Sequence, residues 1–376
     1  MAKLIPRPGI MDIAPYIGGQ SKDPSFKGKL SSNESALGTS PAAVAAYKEA
    51  ATHLHRYPDG GSIALRDALA AQHNLDASRI VCVSGSDDLL VMICRAYAGP
   101  GDEVLYSENG FLMYPISALS VGATPVTAPE DNYHMNVDNM LAAVTSHTKV
   151  VFVTNPSNPT GTYTPREELK RLHEGLPDTV VLVIDAAYAD FVDADDFDSG
   201  LDLATTADNV MMTRTFSKMY GLASLRLGWG YSSDQIVDVL NRLRGPFNVG
   251  SPSHAAGLAA LGDTEFLERA RAHNNEWLAW LGDRLKELGL FAVESVANFL
   301  LVKFDSVDEA HACDLFLQEE GFFLRRMDEY GLADHLRLTV GDAEENKGVI
   351  GAIDAFVKRP NRPNRPNRPN RSEADV

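Results

Sequence analysis

Two short apolar runs constrain the fold most strongly. Residues 150–154 and 180–184 consist mainly of β-branched side chains, and a polar segment follows each run. Runs of this kind, separated by helical patterns, are typical of buried parallel strands in βαβ units. In parallel sheets, ligands bind beyond the carboxyl ends of the strands. The polar segments Asn155–Gly161 and Asp185–Tyr188 are therefore expected to share one crevice.

A third apolar run leads to a hydroxyl-rich loop that contains Lys218. Within residues 50–284 the other lysines are Lys149 and Lys170, which occupy positions typical of solvated side chains. A lysine amine forms a Schiff base with an aldehyde cofactor only when part of it is unprotonated, and burial or a nearby cation such as Arg226 favours that form. The pattern predicts a lysine that holds an aldehyde cofactor, and an ordinary surface lysine is the alternative.

The composition is that of an ordinary globular protein. The length of 376 residues suggests about two domains, and the formal charge of −17 argues against nonspecific binding to nucleic acid or anionic membranes. The three cysteines, Cys82, Cys94 and Cys313, lie in apolar contexts, so they are expected to be reduced core thiols. Neither cysteines nor histidines show metal-ligand spacing. With no signal peptide or membrane-spanning run, the sequence predicts a cytoplasmic protein without a metal.

Several short motifs occur in a fixed order along nearly the whole chain. They are Asn33-Glu34 with Leu37-Gly38, Arg56-Tyr-Pro-Asp-Gly-Gly61, Ser84-Gly-Ser-Asp-Asp88, Asn158-Pro-Thr-Gly161, Asp185-x-x-Tyr188, Ser217-Lys218 and Arg226. In this order and spacing the chain resembles the fold-type I pyridoxal-phosphate aminotransferases, and within them the histidinol-phosphate aminotransferase group.

The resemblance implies an α/β fold with a large α/β/α cofactor domain, built on a mostly parallel sheet, and a smaller α+β domain. Residues 1–30 are expected to form an N-terminal arm that packs with the small domain, and residues 31–250 the large domain. The small domain is expected over residues 251–357, with helix over 253–288 and strands over 291–296 and 298–303.

The chain ends in a repeat. Arg359-Pro-Asn occurs four times in succession and ends at Arg371. Proline at every third position prevents helices and sheet ladders, and the repeat has no apolar residue to bury. Residues 358–376 are therefore expected to be a disordered tail. The tail could bind an anionic partner or be a neutral product of repeat expansion.

The resemblance assigns roles around the pyridoxal phosphate ring. Lys218 would form the Schiff base with the cofactor and then move the substrate's α-proton. Asp185 would pair with the pyridinium nitrogen. Tyr188 and Asn158 would hydrogen-bond the phenolic oxygen, and Phe111 would stack on the ring. Without the resemblance, Asp185 would be a helix cap, and Tyr188 and Phe111 would be core residues.

The cofactor phosphate would be held at a helix start. The backbone amides of Ser86 and Asp87 would face it, because a strand-like run precedes this segment and an apolar helix follows it. Thr215, Ser217 and Arg226 would supply the other contacts. A simple N-cap with acidic residues against the helix dipole is the alternative, although both can hold together.

Further roles concern the substrate and a second subunit. The resemblance assigns Tyr57 to the phosphate of the neighbouring subunit's cofactor, which implies a homodimer with shared active sites. Arg337 would clamp the substrate carboxylate, although an internal salt bridge would also explain it. Arg325 would meet the substrate phosphate together with Tyr16. Alternatively, Arg326 could take the place of Arg325, and Tyr16 could anchor a mobile arm.

The implied activity is transfer of an amino group between histidinol phosphate and 2-oxoglutarate through pyridoxamine phosphate, a step of histidine biosynthesis. Aromatic aminotransferases share these motifs, and the chain reads Ser35-Ala36 near the expected substrate entrance where the family commonly has Asn-Pro. An aromatic amino acid therefore remains an alternative donor. Two further alternatives are a phospho-amino-acid decarboxylase on the same scaffold and a noncatalytic binding protein. The intact set of cofactor residues argues against the noncatalytic protein.

Overall fold

A computed structural model describes residues 5–14 and 26–359 of the chain. The strands of this part are β1 Gly28–Lys29, β2 Ile80–Val83, β3 Glu103–Ser107, β4 Thr124–Ala128, β5 Glu130–Asp131, β6 His134–Met135, β7 Thr148–Thr154, β8 Val181–Asp185, β9 Val210–Thr215, β10 Gly228–Ser232, β11 Phe291–Ala292, β12 Phe299–Lys303, β13 Phe322–Phe323, β14 Arg325–Arg326 and β15 His335–Thr339.

The α-helices of the described residues alternate with these strands in the first two thirds of the chain. They are α1 Pro41–Ala50, α2 Ile63–His73, α3 Ser86–Tyr97, α4 Met113–Val121, α5 Val137–Ala142, α6 Arg166–Gly175, α7 Leu201–Thr206, α8 Asp234–Leu243, α9 Ser251–Gly262, α10 Thr264–Glu287, α11 Val307–Glu319 and α12 Ala343–Val357.

The large sheet has the strand order β2-β10-β9-β8-β7-β3-β4. β10 is antiparallel to both neighbours, and the other adjacent strands are parallel. Thr154 at the end of β7 lies opposite Asp185 at the end of β8, and Asp185 lies opposite Thr213 of β9. The carboxyl ends of these strands therefore meet at one edge. The predicted α/β fold with a mostly parallel sheet is confirmed.

Both faces of the large sheet are buried. Val151 and Val153 of β7 pack into the core beneath α2 and α6, whereas Val150 and Phe152 pack into the core beneath α3 and α8. A strand with helices on both faces has no solvated side. This is why the strand segments read as continuous apolar runs rather than as alternating patterns.

Helix α10 links the two hydrophobic cores. Its 24 residues extend for about 36 Å. Phe266 and Ala270 pack into a core of the large sheet, and Leu281 and Leu285 pack into the core of the small domain. The segment predicted as one helical stretch is in fact two helices. Asp263 separates α9 from α10, because its carboxylate accepts a hydrogen bond from the amide of Phe266 and caps α10.

The small domain contains an antiparallel sheet in the order β11-β12-β15-β14. Its core lies between this sheet and helices α10, α11 and α12. The strand expected over residues 291–296 is limited to Phe291–Ala292, because Val293 is the last residue there to donate a backbone hydrogen bond to β12. Strand β1 pairs in parallel with β13. The predicted domain limits stay a prediction, and most of the Arg-Pro-Asn repeat lies outside the described residues.

Candidate active site

A cavity of about 540 Å³ lies at the carboxyl edge of the large sheet, and residues of the small domain form part of its wall. Most of the predicted site residues line this cavity. They are Ser86, Asp87, Phe111, Asn158, Asp185, Tyr188, Thr215, Ser217, Lys218, Arg226, Arg325 and Arg337. The crevice expected from the two apolar runs therefore exists, and it also receives residues from the small domain.

Lys218 lies in the loop that follows β9. Its Nζ donates a hydrogen bond to the backbone oxygen of Ser32 at 3.2 Å and lies 5.6 Å from the centre of the Tyr188 ring. The pKa of Lys218 is lowered from 10.5 to about 8, mainly by burial and in part by the positive charges of Arg337 and Arg226. An appreciable fraction of the amine is therefore neutral near physiological pH, as a nucleophile requires.

Asp185 is a buried carboxylate at the end of β8. Its Oδ1 accepts a hydrogen bond from Thr213 at 3.3 Å, and its Oδ2 accepts one from the hydroxyl of Tyr114 at 3.4 Å. Burial raises the pKa of Asp185 to about 6, although these hydrogen bonds act in the opposite direction. A cationic N–H group placed in the cavity beside Asp185 would favour its ionised form.

Asn33 joins the two domains beside the lysine. Its Nδ2 donates to the hydroxyl of Tyr188 at 2.8 Å, and its Oδ1 accepts from the hydroxyl of Thr339 at 3.1 Å. Asn33 adopts a φ of 53°, in the left-handed region that asparagine tolerates better than most residues. The small-domain strand β15 is thereby linked to the phenol that lies over Lys218.

The start of α3 has the features of an anion site. Its N-cap residue, Gly85, supplies no side-chain cap, and the first N–H groups of a helix attract anions. Arg226 reaches this point, where its guanidinium contacts Asp87 and donates to the Oγ of Ser217 at 3.3 Å. The amide of Ser86 and these side chains could together surround a phosphate group.

Two glycines keep this site open. A β-carbon on Gly85 would lie 2.3 Å from the Arg226 guanidinium, and one on Gly228 would lie 2.3 Å from a backbone nitrogen at the start of α3. Together with the depressed pKa of Lys218 and the buried carboxylate of Asp185, the residues present fit pyridoxal phosphate. They provide an amine for the aldehyde, an acid for the ring nitrogen and a helix start for the phosphate.

Two arginines enter the cavity from the small domain. Arg337 is buried, and it donates to the Oδ1 of Asn158 at 2.5 Å and to the backbone oxygen of Ser31 at 3.0 Å. Arg325 lies directly opposite Arg337 in the β14–β15 ladder and pairs with Glu329 at 2.8 Å. Both guanidinium groups could bind an anionic part of a substrate.

Arg326 occupies a different environment from Arg325. Its guanidinium donates to both carboxylate oxygens of Asp328 at 2.9 Å, and it also contacts His311 on α11. Of these two neighbouring arginines, Arg325 lines the cavity. Adjacent residues of a strand point to opposite faces, so the two arginines cannot both face a substrate.

One predicted residue, Tyr57, does not line the cavity of its own chain. Tyr57 is 83% exposed, and its ring stacks on that of Phe247 at 4.7 Å. It therefore cannot contact a ligand in the cavity of its own chain in this conformation. Tyr16 lies outside the described residues.

Sequence reasoning missed several residues that support the site. Asn33 was noted as part of a motif, but its contact with Tyr188 could not be inferred. Thr213 lies on the same strand as the predicted Thr215 and two positions before it, so it points to the same side. Tyr114, whose ring stacks on Phe152 at 4.5 Å, is indistinguishable in the sequence from an ordinary core aromatic.

The described residues contain no group of three or more histidine, cysteine, aspartate or glutamate side chains that could hold a metal ion. Within the same part of the chain, no helix has both the length and the apolar character needed to cross a bilayer.

Comparisons with known proteins agree with this geometry. Residues 27–353 match the family model for aminotransferase class I and II. A protein of Paramagnetospirillum magneticum named histidinol-phosphate aminotransferase is 56% identical over 359 residues, which cover 94% of this chain and 98% of that protein. A protein of the same name from Dinoroseobacter shibae is 50% identical, with 95% of this chain and 99% of that protein covered.

A solved structure gives the same result for the fold. The crystal structure of histidinol-phosphate aminotransferase from Sinorhizobium meliloti in complex with pyridoxal 5′-phosphate aligns with a TM-score of 0.84 and 27% identity. The alignment covers 88% of this chain and 91% of that chain. The resemblance inferred from the sequence motifs is therefore confirmed, and the chain belongs to the aminotransferase class I and II family as a pyridoxal-phosphate-dependent aminotransferase.

Proposed function

We propose that this aminotransferase exchanges an amino group between histidinol phosphate and 2-oxoglutarate, as an enzyme of histidine biosynthesis. The observation that carries the proposal is the pair of arginines, Arg325 and Arg337, that line the cavity from one ladder. A donor with a phosphate group and an acceptor with two carboxylates both need cations near the reacting carbon. The names of relatives at up to 56% identity support this donor.

The reacting centre would be organised by Lys218 and Asp185. The chemistry that pyridoxal phosphate supplies when bound is withdrawal of electrons from the carbon that carries the amino group. Lys218 would first bind the aldehyde carbon and then, as a free amine, carry the proton to and from the substrate carbon. The pKa of about 8 for its amine lies near the operating pH, where a base of this kind works best. Asp185 would keep a proton on the ring nitrogen.

Tyr188, Asn158 and Phe111 would orient the reacting groups. Tyr188 is held by Asn33, so its hydroxyl has a fixed direction from which it could donate to the phenolic oxygen. Asn158 uses its Oδ1 to accept from Arg337, which leaves its Nδ2 as the donor for the same oxygen. Phe111 lines the cavity wall beside Tyr114 and could stack on the ring.

The other end of the cofactor would lie at the start of α3. Amides of Ser86 and Asp87, the hydroxyls of Thr215 and Ser217, and the guanidinium of Arg226 would hold its phosphate. The hydroxyl of Thr215 donates to that of Ser217 at 2.9 Å. This hydrogen bond holds the two hydroxyl groups next to each other. The acidic side chain of Asp87 pairs with Arg226, which limits its repulsion of the phosphate.

On the substrate side, Arg337 would bind a carboxylate of 2-oxoglutarate, and Arg325 would bind the phosphate of the amino donor. The burial of Arg337 excludes competing water and strengthens a bidentate pair. A contact between Tyr16 and the donor phosphate stays a prediction. The aromatic aminotransferase and the phospho-amino-acid decarboxylase are not favoured by the relatives reported above.

We further propose a homodimer with shared sites, in which Tyr57 reaches the cofactor phosphate of the partner subunit. Tyr57 stacks on Phe247, which is 47% exposed, and the exposed side chains of Leu54 and Ile63 are close to it in the sequence. Exposed apolar side chains gathered in one place are typical of a surface that another chain covers. The stacking of Tyr57 on Phe247 would hold its hydroxyl away from its own subunit.

Steady-state turnover with a panel of donors tests the proposed substrates. The protein loaded with cofactor is supplied with 2-oxoglutarate and with histidinol phosphate, phenylalanine or tyrosine, and glutamate is measured. We expect kcat/KM for histidinol phosphate to exceed that for the aromatic donors by about a hundredfold or more, because a site built for a polar group rejects ligands that lack it. Preference for phenylalanine would contradict the proposal. Release of carbon dioxide from a phosphorylated amino acid added to the panel, without formation of glutamate, would indicate the decarboxylase.

A further inference from the structure

Glu329 forms an ion pair with Arg325, which lines the active-site cavity. Its Oε2 lies 2.8 Å from the guanidinium of Arg325. The Arg325 side chain is only 13% exposed and that of Glu329 is 42% exposed. The pair forms because a short 3₁₀ helix, Asp328–Tyr330, follows β14 and returns the chain over Arg325.

The position of Arg325 explains why a counter-ion is needed there. Arg325 and Arg337 are direct partners in the β14–β15 ladder, and like charges directly opposite each other destabilise a sheet. Arg337 donates hydrogen bonds to the neutral oxygens of Asn158 and Ser31. Arg325 pairs with the carboxylate of Glu329, which offsets part of the positive charge of this ladder.

We propose that Glu329 is a displaceable counter-ion of Arg325, and that it sets the preference between amino donors that carry a phosphate and donors whose only anionic group is a carboxylate. The proposal rests on the proposed function, in which Arg325 meets the phosphate of the donor. A phosphate monoester carries more charge than a carboxylate and can replace Glu329 as the partner of Arg325. An amino-acid donor such as phenylalanine has a single carboxylate, which gains less than a phosphate from replacing Glu329.

Removal of the Glu329 carboxylate should therefore act unequally on the two donor classes. In Glu329→Gln the phosphate no longer competes with this resident anion, so KM for a phosphorylated donor should fall by about three- to tenfold. KM for phenylalanine should fall by less, because its single carboxylate carries less charge than a phosphate and is repelled less by Glu329. Glu329 acts through Arg325 as a positioning residue, so kcat for either donor should change less than KM.

The neighbouring residue supplies a matched control. Asp328 is one position away on the same 3₁₀ helix, but it pairs with Arg326 and His311 rather than with Arg325. Asp328→Asn removes the same charge from the same segment. It should leave the ratio of kcat/KM values for the two donors unchanged. Glu329→Asp should behave more like wild type than like Glu329→Gln.

The experiment compares holoenzyme of wild type, Glu329→Gln, Glu329→Asp and Asp328→Asn with histidinol phosphate and with phenylalanine. A lower KM for the phosphorylated donor in Glu329→Gln alone supports the proposal. An unchanged or higher KM would overturn it, because that result would mean that Glu329 only holds Arg325 in place. The double variant Arg325→Gln/Glu329→Gln should show no such gain over Arg325→Gln, and an equal gain would also overturn the proposal.

A binding measurement separates this proposal from the proposed function. The inhibition constant of inorganic phosphate is measured with whichever donor the wild-type holoenzyme turns over best, since bound cofactor already occupies the site beside Arg226. Glu329→Gln should bind inorganic phosphate about three- to tenfold more tightly even if histidinol phosphate is not the donor. Unchanged inhibition in Glu329→Gln would contradict the counter-ion, whatever the donor preference.

Discussion

Arg325 and Arg337 lie directly opposite each other on adjacent antiparallel strands, and both line the cavity above Lys218. Like charges directly opposite each other on neighbouring strands destabilise a sheet. An anionic substrate that binds beside the two arginines would offset their mutual repulsion. Under the proposed function, the substrate-binding charges would lie on the small domain and the reacting groups on the large domain.

Arg337→Lys should raise KM for 2-oxoglutarate by about tenfold or more, with a smaller change in kcat. Lysine keeps the charge but cannot form the bidentate pair with a carboxylate or retain both bonds to Asn158 and Ser31. Steady-state kinetics at saturating donor measure the effect. Arg326→Lys is the control, because Arg326 pairs with Asp328 outside the cavity. Equal KM values for Arg337→Lys and wild type would contradict the assignment.

Lys218→Ala should abolish turnover and leave the cofactor bound without a covalent bond. Borohydride reduction followed by mass spectrometry should place the cofactor on Lys218 in the wild-type protein and find none in the variant. Lys170→Ala, on the exposed face of α6, should be labelled like wild type. A reduced cofactor adduct in Lys218→Ala would show that another amine holds the cofactor.

Asp185→Asn should stabilise the cofactor-free protein at neutral pH. Burial raises the pKa of Asp185 from 3.8 to about 6, so between these pH values the native state binds more protons than the unfolded state. The stability of the wild-type protein therefore falls as pH rises from about 4 to 6, by about 3 kcal/mol at most. The neutral asparagine avoids this loss.

Urea unfolding of the cofactor-free protein measures the difference. The advantage of Asp185→Asn should be largest above pH 6 and should shrink towards pH 4. The exposed Asp195→Asn is the control and should follow wild type. With cofactor bound, Asp185→Asn should lower kcat by about a hundredfold or more, because it removes a preorganised charge from the reacting centre. A pH-independent difference in stability would contradict the assigned pKa.

Mixed subunits test the role of Tyr57. If Tyr57→Phe and Lys218→Ala are each impaired and their subunits exchange, a mixed dimer contains one site with both native residues. Random exchange should then restore about a quarter of wild-type activity. Retention of untagged Tyr57→Phe subunits by affinity-tagged Lys218→Ala subunits serves as the control for exchange. Absence of recovery despite demonstrated exchange would argue against shared sites.

The large domain could be predicted because its local patterns agree with its tertiary structure. The segments of β7 and β8 are apolar on both faces. Lys218 can be identified because residues 50–284 contain only two other lysines. Asp185 and Asn158 follow these strands directly, so a parallel sheet brings them together without further information.

The small domain and the links between the domains could not be predicted in the same way. β14 has two residues, too few to show a period, so the register that pairs Arg325 with Arg337 is set by tertiary packing. The contact of Asn33 with Tyr188 joins residues 155 positions apart. The break between α9 and α10 at Asp263 could not be predicted, because residues typical of helices occur on both sides of it.

The most direct test of the account is a single half-reaction. Protein loaded with pyridoxal phosphate is mixed with histidinol phosphate in the absence of any keto acid, and the visible absorbance of the bound cofactor is followed. The account predicts rapid loss of this absorbance, its recovery on addition of 2-oxoglutarate, and no rapid change in Lys218→Ala. Loss of absorbance with phenylalanine or tyrosine but not with histidinol phosphate would contradict the account.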